Sequence, residues 1–274
     1  MENINPENIN QANKDLFNNI AGQYKTLFPE EFNWHTNNLI RGYVRKISDF
    51  FKGQDIKVLD VGAGTGRITL EFLKLGIPVT ALDISAEMLS ILDERAKKLK
   101  NYHLLTKHAM PLDEFLENSK EEYSVICFGA ILHHISNYEE LFIKSLNLFE
   151  EKAACLIVGE PLSIENMKVK GKLQLFFSYA SECLVALNFM IKFGGKWSEK
   201  LKERRLMLSD KLVHKRFWDG NFYDDFFTYL LTKNDFKIDV FKKRGDCSTG
   251  FMTWFVDLFN ICYVEFDLLA LRNK

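Results

Sequence analysis

The stretch Val58-Leu59-Asp60-Val61-Gly62-Ala63-Gly64-Thr65-Gly66-Arg67 decides the fold. Val58 to Val61 is short and apolar apart from one acid, as a strand covered on both faces should be. Gly62 and Gly64 allow a left-handed backbone, so a ligand can lie against the main chain. Gly66 opens a helix whose unpaired N–H groups favour a polar or anionic group. Seventeen residues after Gly66 stands Asp83, closing a second apolar run, Val79-Thr80-Ala81-Leu82. A carboxylate at that place accepts hydrogen bonds from the two hydroxyls of a ribose. The spacing is G-x-G-x-G, whereas dinucleotide enzymes carry G-x-G-x-x-G. An acid two positions before the first glycine suits a ligand with an amino group better than a pyrophosphate.

Outward from this turn, short apolar runs alternate with amphipathic stretches. Tyr102 to Leu105, Val125 to Phe128 and Ala154 to Val158 read as further strands. Arg67 to Leu75, Ala86 to Leu99 and Tyr138 to Phe149 have helical spacing, with Met88, Leu89, Leu92, Ala96 and Leu99 on one face. Upstream, Lys14 to Leu27 and His35 to Phe51 read as helices. Downstream, Phe222 to Leu231 reads as a helix, and Phe236 to Phe241 and Ile261 to Leu271 as strands. Such alternation implies right-handed crossovers. The expectation is an α/β fold: a Rossmann-like, seven-stranded, mostly parallel sheet, last strand antiparallel, helices on both faces and a helical cap insertion. The chain is read as one domain, 1–274. Its parts are N-terminal helices (1–52), a cofactor-binding half (53–161), the cap (162–217), and a C-terminal helix with the last two strands (218–274).

With these residues in place, the chain resembles the class I S-adenosylmethionine-dependent methyltransferases of the small-molecule type. VLDVGAGTGRIT is similar to their first motif and ALDIS, with Asp83, to their second. YSVICFGAILHHI (Tyr123 to Ile135) is similar to their fourth-strand motif, which often ends in a His pair. The likeness covers roughly residues 15 to 160, and the last two strands more loosely. It implies S-adenosylmethionine as cofactor. It also implies Asp60, Gly62, Ala63 and Gly64 at the methionine end, Asp83 on the ribose, and Ile84, Met88, Ala109 and Met110 around the adenine. Phe128 or Gly129 would flank the cofactor, and Tyr24 would close over the methionine moiety. Many relatives have an acid after the third strand for the adenine amino group; here His108 stands at that place. Met88 also fits a plain buried helical face, Tyr24 a half-buried helix position, and the His pair the satisfaction of backbone groups.

Methyl transfer from a sulfonium is an in-line displacement with a neutral leaving group. The protein therefore mainly aligns the partners, and a base is needed only for a hydroxyl or protonated amine. His134 and Glu160, at the ends of the fourth and fifth strands, are the candidate bases. The apolar face Leu173, Phe176, Phe177, Ala180, Leu184, Leu187 and Ile191, with lysines on either side, reads as a cap. The same pattern suits a peripheral membrane contact through 168–196 or the lining of a pocket for a lipid-like acceptor. The expected reaction is methylation of a small-molecule or lipid-linked acceptor, at oxygen. Methylation of RNA or protein, or cofactor binding without catalysis, are the alternatives.

Composition bounds the rest. Lys and Arg number 36 against 37 Asp and Glu, which argues against a nucleic-acid partner. The five cysteines form no C-x-x-C pair, so no metal site and a reducing compartment are expected. The first residues lack the basic and apolar regions of a signal peptide, and no uncharged apolar stretch is long enough to span a bilayer; a cytoplasmic location is expected. Phe is over-represented, 24 against 9 Tyr and 4 Trp. Its excess falls after residue 173, which suggests an apolar cap over the acceptor site.

Overall fold

A computed structural model of the chain describes residues 6–28, 32–162, 168–169, 186–187, 190–191, 194–196, 198–202, 223–244, 262–263 and 265–273. Its centre is a seven-stranded sheet. The strands are β1 (Val58–Val61), β2 (Val79–Asp83), β3 (Leu105–Ala109), β4 (Tyr123–Gly129), β5 (Phe149–Pro161), β6 (Lys237–Arg244) and β7 (Glu265–Arg272). They lie in the order β3-β2-β1-β4-β5-β7-β6. β1 pairs in parallel with β2 and β4, β2 with β3, and β4 with β5. β7 alone runs antiparallel, to β5 on one side and β6 on the other.

The helices are α1 (Pro6–Ile20), α2 (Tyr24–Leu27), α3 (Trp34–Phe50), α4 (Thr69–Lys74), α5 (Ala86–Ala96), α6 (Leu112–Asn118), α7 (Tyr138–Ser145) and α8 (Asp224–Lys233). Two of them carry side-chain caps that fix where they start. Asn33 accepts from the Thr36 amide at α3, and Ser85 from the Met88 amide at α5. The central strands are buried on both faces, so neighbouring residues serve opposite cores. Val58, Val125, Cys127, Leu156 and Val79 pack with Ile40, Tyr43 and Ile47 of α3, Phe72 of α4 and Leu89 of α5. Leu59, Val61, Ile126, Phe128 and Ile157 pack on the other side with Phe115, Phe142 and Phe227 from α6, α7 and α8.

That second core holds many of the phenylalanines. Phe142, Phe226, Phe227, Phe266 and Phe241 form a chain of ring contacts with centroids 5.0–6.2 Å apart, many edge-on, as aromatic quadrupoles prefer. The described phenylalanines past residue 173 therefore fill the sheet's core as α8, β6 and β7 bring them in. They do not form a cap over the strand ends. Most of the expected cap, 162–217, lies outside the described residues. Of its apolar face, Leu187 and Ile191 are described, and both are exposed. No helix among the described residues is long and apolar enough to cross a membrane.

Several elements differ from the sequence reading. Tyr102 to Leu104 is a 3₁₀ turn and β3 begins at Leu105. The first helix starts at Pro6 and ends at Ile20, with 3₁₀ geometry between it and α2. α6 was not anticipated.

Candidate active site

The C-terminal ends of β1, β2 and β4 open into one cleft, the position where an open α/β sheet takes its ligand. α1 forms its roof. Asn10, Asn13 and Phe17 from α1 and Tyr24 from α2 face Val61, Gly62, Gly64, Leu82, Asp83, Ile84 and Met88 across it. Met110, Leu112, Gly129, Ile131, His134, Ile135 and Leu141 close the far wall. Its empty space, open mouth included, is about 850 Å³. A smaller cavity adjoins it at Tyr24, Phe32, Asp60, Gly62, Ala63, Arg67 and Gly129.

The glycine turn is held by its backbone. Gly62 and Ala63 donate to the Leu82 carbonyl at 2.8 and 3.0 Å, tying the end of β1 to β2. Gly62 has φ +69°, and a Cβ there would lie 2.6 Å from Ile131. Gly66 has φ +89° and its Cβ would strike Leu92 of α5 at 2.2 Å, so this glycine lets α5 pack against the turn. Gly62 serves the cleft and Gly66 the packing.

Two carboxylates flank the turn. Asp83 accepts from the Gly64 amide and the Ser85 amide, both at 2.8 Å. A carboxylate offers about four lone-pair directions, so Asp83 keeps acceptor capacity toward the cleft it lines. Asp60 is almost fully buried. Its Oδ2 accepts from the Thr69 amide and hydroxyl, while its Oδ1 has no hydrogen-bond partner. A buried, unpartnered carboxylate oxygen beside a cavity calls for a donor, preferably a cationic one.

Burial pushes both carboxyl groups up from the ordinary 3.8 to about 6, against the Thr69 hydrogen bonds and the Arg67 charge at Asp60 and the two amides at Asp83. A raised carboxyl pKa means that the folded state binds more protons than the unfolded one between about pH 4 and 6. These two groups therefore destabilise the ligand-free protein progressively as pH rises through that window, and fully above it. A cationic guest reverses the preference, because it needs the carboxylate. Affinity for a ligand carrying an ammonium group is expected to fall about tenfold per pH unit per coupled group below pH 6, as protons must be displaced. Calorimetry in buffers of different ionisation heat between pH 5 and 8 measures it; a flat profile would contradict the assignment.

The remaining sequence-derived residues separate into those that reach the cleft and those that do not. Tyr24, Ile84, Met88, Met110, Gly129 and His134 line it, and Ala109 lines an adjoining cavity with Ile84 and Met110. Phe128 does not. Strand alternation turns it into the core, where it packs on Phe142 at 5.2 Å. Glu160 does not either. Its carboxylate, wholly buried, accepts from the amides of Ile131, Leu132 and His133 and contacts His133 Nδ1 at 2.8 Å. It therefore holds the 131–133 turn in place, and its oxygens are committed to that turn. His108 lies with its ring 5.4 Å from Phe115 and is not among the lining residues. His134 stands edge-on to Phe17 at 5.4 Å, and its carbonyl accepts from Asn13 Nδ2 at 3.3 Å. The α1 residues are what sequence reasoning missed. Asn10, Asn13 and Phe17 carry no motif; their three-four spacing was the available signal.

Residues 58–148 match the model of a methyltransferase domain family. Among curated proteins, the chain is 24% identical over 167 residues to the ubiquinone biosynthesis O-methyltransferase of Psychrobacter cryohalolentis, covering 56% of this chain and 65% of that protein. It is 28% identical over 145 residues to the ribosomal RNA small subunit methyltransferase A of Clostridium botulinum, covering 48% and 51%. The chain thus spans from about half to just under two thirds of the length of these relatives. Among solved structures, magnesium protoporphyrin IX methyltransferase from Synechocystis, determined with bound S-adenosylmethionine, superposes with a TM-score of 0.59 at 12% identity, covering 100% of both chains. Sheet order and glycine turn agree with these matches: residues 58–148 are similar to a methyltransferase domain family, on a Rossmann-like sheet that shares the fold of the Synechocystis enzyme.

Proposed function

We propose that the protein transfers a methyl group from S-adenosylmethionine to a small-molecule or lipid-linked acceptor, at oxygen. The observation that carries the cofactor is the pair of acids across the glycine turn. Asp60 Oδ1, buried without a partner, matches an ammonium group, and Asp83 with its residual acceptor capacity matches ribose hydroxyls. The missing Cβ of Gly62 leaves room between them, and Ile84, Met88 and Met110 supply an apolar slot for a purine. Bound S-adenosylmethionine supplies a methyl carbon on a sulfonium, already activated for in-line displacement.

What the chain adds is alignment and exclusion of water. Tyr24 and Phe17 close the cleft from α1–α2, and Glu160 fixes the turn that presents Ile131 and His134. His134 lines the cleft and is able to take a hydroxyl proton, a contribution of about 10²–10⁴-fold where the acceptor is an alcohol or phenol. The apolar wall of Ile131, Ile135 and Leu141 and the balanced charge favour an uncharged acceptor over a polyanion. The O-methyltransferase named among the relatives supports the same reading.

Production of S-adenosylhomocysteine in the presence of fractionated cell extract tests this. Turnover is expected with a small-molecule or lipid fraction; turnover confined to the RNA fraction would transfer the assignment to RNA. In parallel, Asp83→Ala should weaken S-adenosylhomocysteine binding about 10- to 100-fold, the cost of leaving ribose hydroxyls unmatched in a half-buried site. Unchanged affinity would remove Asp83 from the cofactor site.

A further inference from the structure

Asn13 is buried, lines the roof of the cleft and has one polar atom without a partner. Its orientation is determined by its neighbours. Nδ2 donates to the Ile9 carbonyl at 3.0 Å and to the His134 carbonyl at 3.3 Å. Both partners are acceptors, so the amide cannot be turned over, and Oδ1 is left as the unsatisfied atom. A buried amide oxygen is costly unless a guest donates to it.

Donor and acceptor accounting identifies the guest's group. This step rests on the S-adenosylmethionine reading above. That cofactor has three sets of strong donors: the ammonium group, the ribose hydroxyls and the exocyclic amine of adenine. Asp60 Oδ1 suits the first and Asp83 the second. The amine remains, and so does Asn13 Oδ1. Position agrees with the count. Asn10, one helical turn before Asn13, borders the same cavity as Ile84, Met110 and Pro111, so this part of α1 runs along the purine slot. Tyr24, further along the chain, borders Asp60 and Gly62 at the opposite end. The sheet offers no side chain in place of Asn13 at the third strand, since His108 is turned onto Phe115. Asp113 also lines the cleft, but it is half-buried and borders two further open cavities, where water can serve its carboxylate.

We infer that Asn13 Oδ1 accepts a hydrogen bond from the adenine amine, so that the N-terminal helix, and not the third strand, reads the base. The consequence is a cofactor specificity residue on the roof: the cleft distinguishes an amino purine from a 6-oxo purine only when α1 is in place.

The test compares S-adenosylhomocysteine with S-inosylhomocysteine, in which a carbonyl replaces the amine, by calorimetry on the full chain. The wild type should prefer the adenosyl ligand about 10- to 100-fold, because the oxo group sets an acceptor against an acceptor. Asn13→Leu should reduce the preference to within about threefold. Asp113→Ala should keep it. Each value is a ratio within one protein, so a general loss of stability cancels. Equal affinities in the wild type would overturn the assignment whether or not the variant folds. So would a preference that survives Asn13→Leu or disappears in Asp113→Ala. Absence of any binding of S-adenosylhomocysteine would overturn the cofactor reading itself, a result distinct from the others.

Discussion

Gly62→Ala is expected to lower affinity for S-adenosylhomocysteine by at least about 100-fold and to cost about 1–3 kcal/mol of stability. Gly62 has φ +69°, where an L side chain is strained, and the added methyl would lie 2.6 Å from Ile131. Relief by moving Ile131 is blocked, because its amide is held at 2.6 Å by Glu160, itself wholly buried. Strain and obstruction thus act together where the cleft is narrowest. The same substitution at Gly64, whose Cβ would meet nothing closer than 4.0 Å, should cost backbone strain with much less obstruction. Calorimetry and thermal melts on both variants measure the difference. Near-normal binding by Gly62→Ala would show that this turn does not cradle the ligand.

The largest effect on stability is expected at Asp267→Ala, about 3–5 kcal/mol. Asp267, on β7, is buried and receives three donors: the Gly159 amide at 3.0 Å, Arg244 Nε at 3.1 Å and the Tyr43 hydroxyl at 3.0 Å. Arg244, on β6, is itself buried and also approaches Glu265 at 2.7 Å. Alanine would leave a guanidinium, an amide and a phenol with a missing acceptor, in a region where water is excluded. The penalty comes from the stranded partners more than from the worth of the bonds. Chemical denaturation with a two-state fit reads it directly. Tyr43→Phe, which removes one neutral donor, should cost about 1 kcal/mol; an Asp267→Ala loss no larger than that would refute the network's role.

Much of the fold was legible because its signals are local. The glycine turn, the acid that ends β2 and the Ser85 cap lie within a few residues of the elements they define. β3 was misplaced for a physical reason. Lying at the sheet edge and mostly exposed, it carries Thr106, Lys107 and His108, while Tyr102 and Leu104, which drew the reading of Tyr102 to Leu105 as a strand, lie in a 3₁₀ turn. The site was legible where motifs fix spacing and hidden where it depends on contacts across the chain. Glu160 meets its partners 27 to 29 residues away, and nothing in its own surroundings separates a base from a turn anchor. Asn13 joins His134 over 121 residues. Of the phenylalanines past residue 173, those described serve the sheet's core, and composition alone does not say which side of a sheet a residue serves.

The position of β7 has a consequence for how the molecule assembles. β6 precedes β7 in sequence but touches the sheet through it: β7 is inserted between β5 and β6 and pairs with both. Until that insertion, β5 presents an unpaired edge and β6 has nothing to join. The pairing also closes the long loop from Pro161 to Glu265, whose entropy must be lost before the strand's contacts repay it. The late event in folding should therefore be this insertion. It brings Asp267 to Arg244 and Tyr43 in the same step, so the buried charges act as a registration mark that a slipped strand could not satisfy.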